Sequence, residues 1–301
     1  MDKVAIILLN YNNTNDTLEC VDSIEKNCGL DYEIIVVDNN SSEDAKKVLL
    51  ENEDRYTLIL NPKNDGFAAG NNIGIKCALN KKYKYVLLLN NDTLISKDSI
   101  EIMLETLKKD PKVGAVSCRI MYYPDENIIW YDGGYINWNK YLPIHINIGK
   151  NIQECNCINT EENTGFISGC CMFVKSEVFE NVGYLPEEYF MYFEDMDFCL
   201  QIVEHNYILK VCKNSIIYHK VSSSSGGEES PFTIKWGNRN RLILMNKYKK
   251  NTTLISYYIS VTLFILTRVI KVVHYILQGN INSSKALLDG VRDGFQGIIN
   301  R

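Results

Sequence analysis

Long hydrophobic runs are missing from this sequence. The first apolar stretch, Val4 to Leu9, has a strand's length and no small-residue cleavage site after it, so it reads as a first strand rather than a signal peptide. The most apolar stretch, residues 254–266, ends after 13 residues, just before Arg268, whereas a bilayer core needs ~20. That length argues against a spanning helix. It favours a helix lying in a membrane interface, with packing on the domain or on a second subunit as the alternative. Paired Cys-x-x-Cys spacing is absent as well. Neither CNC at 155–157 nor CC at 170–171 has a second pair within reach, which argues against zinc. Ten scattered cysteines without a secretory signal point instead to reduced thiols in a cytosol. Net positive charge is lacking too: the formal value of −5 argues against general nucleic-acid binding. The charge is unevenly spread, however. Residues 231–288 hold nine Lys/Arg and no Asp or Glu; removing those nine charges leaves −14 on the remainder. An acidic body with a basic tail implies two different partners. No internal repeat is present.

What is there is a core-forming composition, 46% hydrophobic over 301 residues, and a clean alternation through the first 120 of them. Strands are predicted at Val4–Asn10, Glu33–Asp38, Thr57–Asn61, Tyr85–Asn90 and Val113–Tyr122. Helices are predicted between them at Thr14–Lys26, Glu43–Asn52, Ala68–Asn80 and Lys97–Lys109. This pattern implies βαβ units and a Rossmann-like, mostly parallel α/β sheet flanked by helices. From 123 to 165 the pattern weakens into short strands and aromatic-rich loops. Regular structure resumes with a strand in GFISGCCMFVK, a short helix capped by Ser176, a helix over Met196–Glu204 and a strand in ILKVCKNSIIYHK. A flexible Ser/Gly-rich loop, VSSSSGGEES, then leads to a helical tail. The expected division is 1–230 as one domain, with halves 1–122 and 123–230, and 231–301 as the basic helical tail.

In sheets of this kind ligands bind beyond the carboxyl ends of the strands. Here those ends read Asn-Tyr-Asn-Asn, Asp-Asn-Asn-Ser-Ser, Asn-Pro-Lys-Asn-Asp-Gly and Asn-Asn-Asp-Thr. Single polar tips are ordinary turn chemistry, but four on one edge define a polar site. Asp92, at the tip of a rigid strand, suits a hard divalent cation completed by substrate phosphates and water. Asn90 and Asn91 beside it can hydrogen-bond a sugar or phosphate. NDGFAAGNN (64–72) opens a helix, and its free N–H groups suit an anion, with Gly66 and Gly70 permitting close backbone approach. It is neither a P-loop nor a Gly-x-Gly-x-x-Gly fingerprint. FEDMDF places three carboxylates, Glu194, Asp195 and Asp197, within four residues, one of them a candidate general base or all of them helix-start charge. His219 closes an apolar strand; it is a structural histidine or a second metal ligand that would admit Mn²⁺ as readily as Mg²⁺.

Taken together, these residues resemble an inverting nucleotide-sugar glycosyltransferase of family 2 with the GT-A fold, and within it the rhamnosyltransferase-like subgroup of cell-surface polysaccharide assembly. The resemblance spans residues 3–245. It is carried by VAIILLNYNN, IIVVDNNSS, NPKNDGFAAGNNIGI, LLLNNDT and the block SGCCMFVKSEVFENVGYLPEEYFMYFEDMDFCLQI. It implies that Asn10, Tyr11, Asp38, Asn64, Gly66, Phe67 and Asn71, with Asn90 and Asn91, shape the donor pocket. It implies Asp195 as catalytic base, with Gly169 and Glu194 on the acceptor side. Asp92, with His219, would hold Mg²⁺ or Mn²⁺ where the family has its Asp-x-Asp motif. Asn90 replaces the first carboxylate of that motif, and Gln201 stands where the family often has Arg. The implied reaction moves a sugar from dTDP-rhamnose, or a UDP-sugar, to a hydroxyl of a glycan or lipid-linked acceptor in one inverting displacement. The basic tail would rest on anionic lipid at the inner face of a plasma membrane. Two alternatives are a non-catalytic nucleotide-sugar-binding scaffold, suggested by Asn90, and a nucleotidyltransferase. The latter is opposed by a first loop, NYNNTNDT, without Gly or positive charge.

Overall fold

The computed structural model describes residues 3–155, 160–221 and 229–299. Strands and helices alternate through the first half: β1 (Val4–Asn10), α1 (Thr14–Asn27), β2 (Tyr32–Asp38), α2 (Glu43–Leu50), β3 (Thr57–Leu60), α3 (Phe67–Asn80), β4 (Tyr85–Asn90), β5 (Thr93–Ile95), α4 (Ser99–Lys109) and β6 (Val113–Tyr122). Each helix places its apolar residues at three- and four-residue spacing against the sheet, as Ile100, Met103, Leu104 and Leu107 do in α4. β1 and β4 bury both faces, which is why they read as unbroken apolar runs. α3 lies unusually close to β1. A Cβ at Gly70 would sit 2.4 Å from Leu9 Cδ1, and one at Gly74 2.6 Å from Ile7 Cγ2.

The second half supplies β7 (Ile129–Tyr131), β8 (Gly134–Asn137), β9 (Leu142–His145), β10 (Glu161–Asn163), β11 (Cys171–Lys175), α5 (Ser176–Val182), α6 (Glu194–Glu204) and β12 (Ile208–His219). β8 and β9 form a separate two-stranded ribbon, and the large sheet runs β10-β12-β6-β11-β4-β1-β2-β3. The stretch β3-β2-β1-β4 is parallel throughout, as the alternation requires. β11 then enters antiparallel between β4 and β6, and β12 resumes parallel to β6, so the full sheet is mixed. A strand buried on both faces carries no periodicity that reports its direction, so this insertion was not legible in CCMFVK. Two details differ from the sequence reading. β5, a three-residue strand just beyond Asp92, was not expected; it pairs antiparallel with β12. Ser176 does not cap α5 but is its first residue, its hydroxyl bonded to the Tyr83 carbonyl; Lys175 precedes the helix without a capping side chain.

The chain divides into two compact units. The first comprises Met1–Tyr135, His145–Phe190 and Glu194–Val221; the second, Ile136–Ile144, Met191–Phe193 and Ser222–Arg301. Inside the first, a buried ion pair joins Arg119 on β6 to Asp132 at 2.9 Å, and Asn147 donates to the same carboxylate. The nine described cysteines are free, while Cys157 of the CNC sequence and most of the VSSSSGGEES segment lie outside the described residues.

The second unit is built on α7 (Pro231–Lys247), α8 (Leu254–Leu277) and α9 (Ile281–Ile299) around Ile234, Tyr275 and Leu287. α7 is capped by Ser230 with Pro231 in its first turn. α8 corrects the length argument drawn from the sequence. It does not end at Arg268 but runs on to Leu277, 24 residues in all, and among the described residues it is the one helix long and apolar enough to cross a membrane by length and composition. Arg268 interrupts the sequence pattern without interrupting the outer face, because its side chain turns back to α7, where Nη1 donates to Asn238 Oδ1 at 2.9 Å. Leu263, Leu266, Val269, Ile270 and Val273 stay exposed. α9 approaches α7 through glycine: a Cβ at Gly290 would lie 2.4 Å from the Lys235 carbonyl oxygen, which is backbone and cannot swing aside. Gly290→Ala is therefore expected to destabilise the unit by about 1–3 kcal/mol, read as a lower denaturant midpoint. An unchanged midpoint would refute the close α7–α9 approach.

Candidate active site

The carboxyl ends of β1, β2 and β4 meet in register, with Asn10 opposite Asp38 and Leu9 opposite Asn90. Their polar tips first satisfy one another. Asn10 Nδ2 donates to Asp38 Oδ1 at 2.8 Å and to Ser41 Oγ at 3.1 Å. Thr17 Oγ1 donates to Asn10 Oδ1 at 2.9 Å, and Asn91 Nδ2 in turn donates to Thr17 Oγ1 at 2.8 Å. Asp38 takes a further N–H from Ser41 at 3.0 Å. Asn10, Asp38 and Asn91 thus belong to one buried network whose hubs, Thr17 and Ser41, were not singled out in the sequence. The Asn91 amide donates into the protein, to Thr17 and the Asn13 carbonyl, rather than outward to a ligand. Tyr11, 47% exposed at the start of the following loop, faces solvent.

A second network shapes the loop before α3. Asn39 donates to Asn64 Oδ1 at 2.9 Å and to the Gly66 carbonyl at 3.1 Å, and accepts from Asn61 at 2.8 Å. Asn64 also accepts the Gly66 N–H at 3.0 Å. The expected anion cradle at this helix start is not what the glycine provides. Gly66 has φ +95°, a Cβ there would lie 2.1 Å from the Phe190 carbonyl oxygen, and that same oxygen accepts the Phe67 N–H at 2.6 Å. The two N–H groups are engaged inside the protein, and Gly70 is small for the sake of Leu9. Asn71 bonds back to the Phe67 carbonyl within its own helix. Its neighbour Asn72, not singled out in the sequence, ties α3 to Leu185 and Glu187.

The carboxylates fall into two groups. At the tip of β4, Asp92 Oδ1 lies 3.1 Å from His219 Nε2, and both side chains are nearly buried. The β5–β12 pairing produces this contact by setting His219 opposite Thr93, one residue past Asp92. Trp130 packs edge-on against the His219 ring at 4.7 Å, and Nδ1 of that ring is buried with no hydrogen-bond partner. Lys220, next in sequence, donates its N–H to the Asp92 carbonyl and pairs with Asp16 and Glu19 on α1.

The other group is reached through β11. Asn90 N–H donates to the Cys170 carbonyl at 2.8 Å, which brings Gly169 against the β4 tip. Gly169 N–H donates to Asp195 Oδ2 at 3.0 Å, and Met196 N–H to Oδ1 at 2.7 Å. A Cβ on Gly169 would lie 3.3 Å from the Phe67 ring and 3.4 Å from Asp195 Cβ, so Phe67, Gly169 and Asp195 share one small space. Burial raises the Asp195 pKa above its ordinary value, with the two backbone N–H groups opposing it. Glu194 is more deeply buried, its Oε2 has no partner, and burial together with the Asp195 charge pushes its pKa well up. Asp197 serves structure, accepting from Tyr189 at 2.7 Å and Gln201 at 2.8 Å. Gln201 therefore occupies the position expected for Arg by binding its own helix.

One end of the α/β sheet thus carries polar strand tips, a carboxylate–imidazole pair and a separate half-buried aspartate. The family model for glycosyl transferase family 2 matches residues 5–183, and the chain belongs to that family, as a hexosyltransferase-type enzyme. It is 27% identical to the low-salt glycan biosynthesis hexosyltransferase Agl10 of Haloferax volcanii, over 98% of this chain and 92% of that one. It is 29% identical to the dTDP-rhamnosyl transferase RfbF of Shigella flexneri, over 67% of this chain and 62% of the relative. Among solved structures, the mannosyltransferase PcManGT of Pyrobaculum calidifontis, in complex with GDP-Man and Mn²⁺, superposes over 97% of this chain and 86% of its own with a TM-score of 0.58 at 14% identity. GalNAc-T7 with UDP, GalNAc and Mn²⁺ covers 79% of this chain and 47% of its own, with a TM-score of 0.63 at 16% identity. These structural likenesses establish the GT-A fold.

The raised pKa of Glu194 has a consequence for stability. At a pH below the ordinary glutamate value of about 4.3, this carboxyl is neutral folded or unfolded, and its contribution is complete. As pH rises, the unfolded chain ionises first and the contribution is lost through the raised native value. The melting-temperature difference between Glu194→Gln and the parent should therefore grow in the variant's favour from pH 4 to pH 8. A gap independent of pH would show that folding does not raise the Glu194 pKa.

Proposed function

We propose that this chain transfers a hexose from a nucleoside-diphosphate sugar to a hydroxyl of a glycan or lipid-linked acceptor, with inversion at the anomeric carbon. The observation that carries the reading is the pairing of two unlike carboxylate sites around one strand tip. Asp92 with His219 lies on one side, and Asp195 beside Gly169 on the other. Similarity to RfbF favours dTDP-rhamnose as donor.

The Asp92–His219 pair fits a divalent cation. One carboxylate oxygen and one imidazole nitrogen converge, and among the described residues no group of three His, Cys, Asp or Glu completes a protein-only shell, which leaves positions for diphosphate and water. The Mn²⁺ in both structural relatives supports the same assignment. When bound, Mg²⁺ or Mn²⁺ supplies neutralisation of the charge that develops on the leaving nucleoside diphosphate. The protein's own share is positional and acid–base. Asn10, Asp38, Asn91 and Thr17 hold the donor-side loops in one arrangement, as Asn39 and Asn64 do around Gly66. Tyr11 and Asn90 are the accessible groups on that side, Phe67 walls the floor, and Asn71 steadies the start of α3. Asp195, fixed by two N–H bonds, removes the proton from the acceptor hydroxyl as it attacks the anomeric carbon opposite the leaving group. Gly169 leaves room for that acceptor. Burial tunes Asp195 upward, making it a stronger base than a solvated aspartate.

The second unit suits the surface of an anionic membrane. Its α8 exposes an apolar face about 36 Å long at 1.5 Å per residue, while α7 and α9 carry charges that pair with one another, as Lys235 does with Asp293 at 3.2 Å. Helices so charged, packed along α8, do not enter hydrocarbon, which favours an in-plane position over a spanning one.

Two measurements test the chemistry. Asp195→Asn should lower turnover by about 10²–10⁴-fold with nucleotide affinity little changed. In the parent, kcat should fall on the acid side at a pH above the ordinary aspartate value of about 3.9; activity retained by the variant would remove Asp195 as base. Calorimetric titration with dTDP, UDP and GDP, with and without Mn²⁺, should show metal-dependent binding of one nucleotide. Asp92→Asn and His219→Ala should each weaken that dependence at least tenfold (about 1.4 kcal/mol). Equal binding with and without metal would discard the cation site.

A further inference from the structure

In the second unit, two arginines converge on one aromatic ring. Arg241 on α7 places its guanidinium carbon 5.0 Å from the centroid of Phe264, and Arg268 on α8 places its own 4.7 Å from the same centroid. Phe264 is buried and lies one helical turn before Arg268, so the contact follows from the i, i+4 geometry of α8 and its packing on α7. Two like charges held on one ring are ordinarily balanced by a carboxylate. Here Arg241 Nε donates to the Lys140 carbonyl at 2.7 Å and Arg268 Nη1 to the neutral Asn238 amide. Arg268 Nε is buried with no partner, and among the described residues neither arginine forms an ion pair. Burial and the repulsion of Arg268 push the Arg241 pKa down to about 10. A desolvated pair of this kind costs stability unless an anion completes it, and a guanidinium fork matches the oxygens of a phosphate.

What surrounds the pair identifies the carrier of that anion. Leu263, Leu266, Val269 and Ile270, the residues flanking Phe264 and Arg268 on α8, are all exposed, and Lys271 is exposed next to them. A soluble phosphate has no use for this apolar face, whereas an amphiphile has an anionic group for the arginines and chains for the helix. We infer that Arg241 and Arg268 form a binding site for the phosphate of an anionic membrane lipid whose acyl chains lie along the exposed face of α8. The inference rests on the in-plane membrane reading above and deepens it: general attraction by basic residues is joined by one stereochemically defined headgroup site.

The test uses the full-length protein and co-sedimentation with phosphatidylcholine vesicles doped either with phosphatidic acid or, at equal surface charge, with a carboxylate lipid such as cholesteryl hemisuccinate. The parent should bind the phosphatidic-acid vesicles more tightly. Arg241→Gln and Arg268→Gln should each lose about tenfold on those vesicles, and Lys271→Gln, which removes the same charge from the exposed face, less than about threefold. Arg268→Met checks that the loss is not a folding defect: it should also lose phosphatidic-acid preference, yet melt no lower than the parent, because it removes a desolvated charge that has no counter-charge. Vesicle binding that is unaltered in both Gln variants overturns the site and leaves membrane association standing. No binding of the parent to either vesicle overturns both. Full competition by glycerol phosphate at equal phosphate concentration makes the ligand soluble and overturns the lipid assignment. A sharply lower melting temperature of Arg268→Met with unchanged binding makes the pair structural and overturns it as well.

Discussion

The antiparallel pairing of β11 against β4 is the constraint on which the site depends. A parallel neighbour at that position would run its polar end the same way as β4 and leave Gly169 at the wrong edge of the sheet. Running the other way, β11 starts where β4 stops, and the Asn90 N–H to Cys170 carbonyl bond closes the junction. Gly169 then lies at the β4 tip and holds Asp195 through its own N–H. The strand's register thus brings Asp195 to the end of β4 from which Asp92 follows. It also accounts for the tolerance of a mixed sheet in an otherwise parallel framework, because both faces of β11 are covered.

Polar burial is handled differently in the two parts of this site. On the donor side every buried amide finds a partner, so Asn10, Thr17, Asn39, Asn64 and Asn91 form networks that order loops and leave little to rearrange. At the two carboxylate positions, by contrast, Glu194 retains an unsatisfied oxygen and His219 an unsatisfied nitrogen beside Asp92. Unsatisfied buried groups are uncommon in folded proteins, and two of the four among the described residues lie at these two carboxylate positions. Backbone strain gathers in the same place. Phe190, Tyr192 and Phe193, immediately before Glu194, all have φ between +62° and +77°.

The two arginines on Phe264 extend that pattern to the second unit, where an uncompensated charge pair again marks a place for something the protein does not itself supply. A headgroup site on α8 would hold the second unit at a lipid surface. The family assignment stands without this feature; it bears on where the enzyme works rather than on what it does.

Much of this protein was determined by sequence alone. Strand–helix alternation specified the parallel half of the sheet, because period and length leave little freedom there. The Asn/Asp at each strand end were legible as lying on one edge, because in parallel units all those ends point one way. Tertiary structure decided the rest. Which amides face a ligand and which face one another was invisible, since Asn10 and Asn91 look alike until Thr17 is placed between them. Gly66 reads as a phosphate cradle until the Phe190 carbonyl is found against it. His219 lies 127 residues from Asp92 in sequence, and only the three-residue strand β5, too short to carry a periodic signal, brings them together. Arg268 reads as the end of an apolar stretch because a linear sequence cannot show that its side chain turns inward, and that turn lets the exposed apolar residues Leu263, Leu266, Val269, Ile270 and Val273 run on past it.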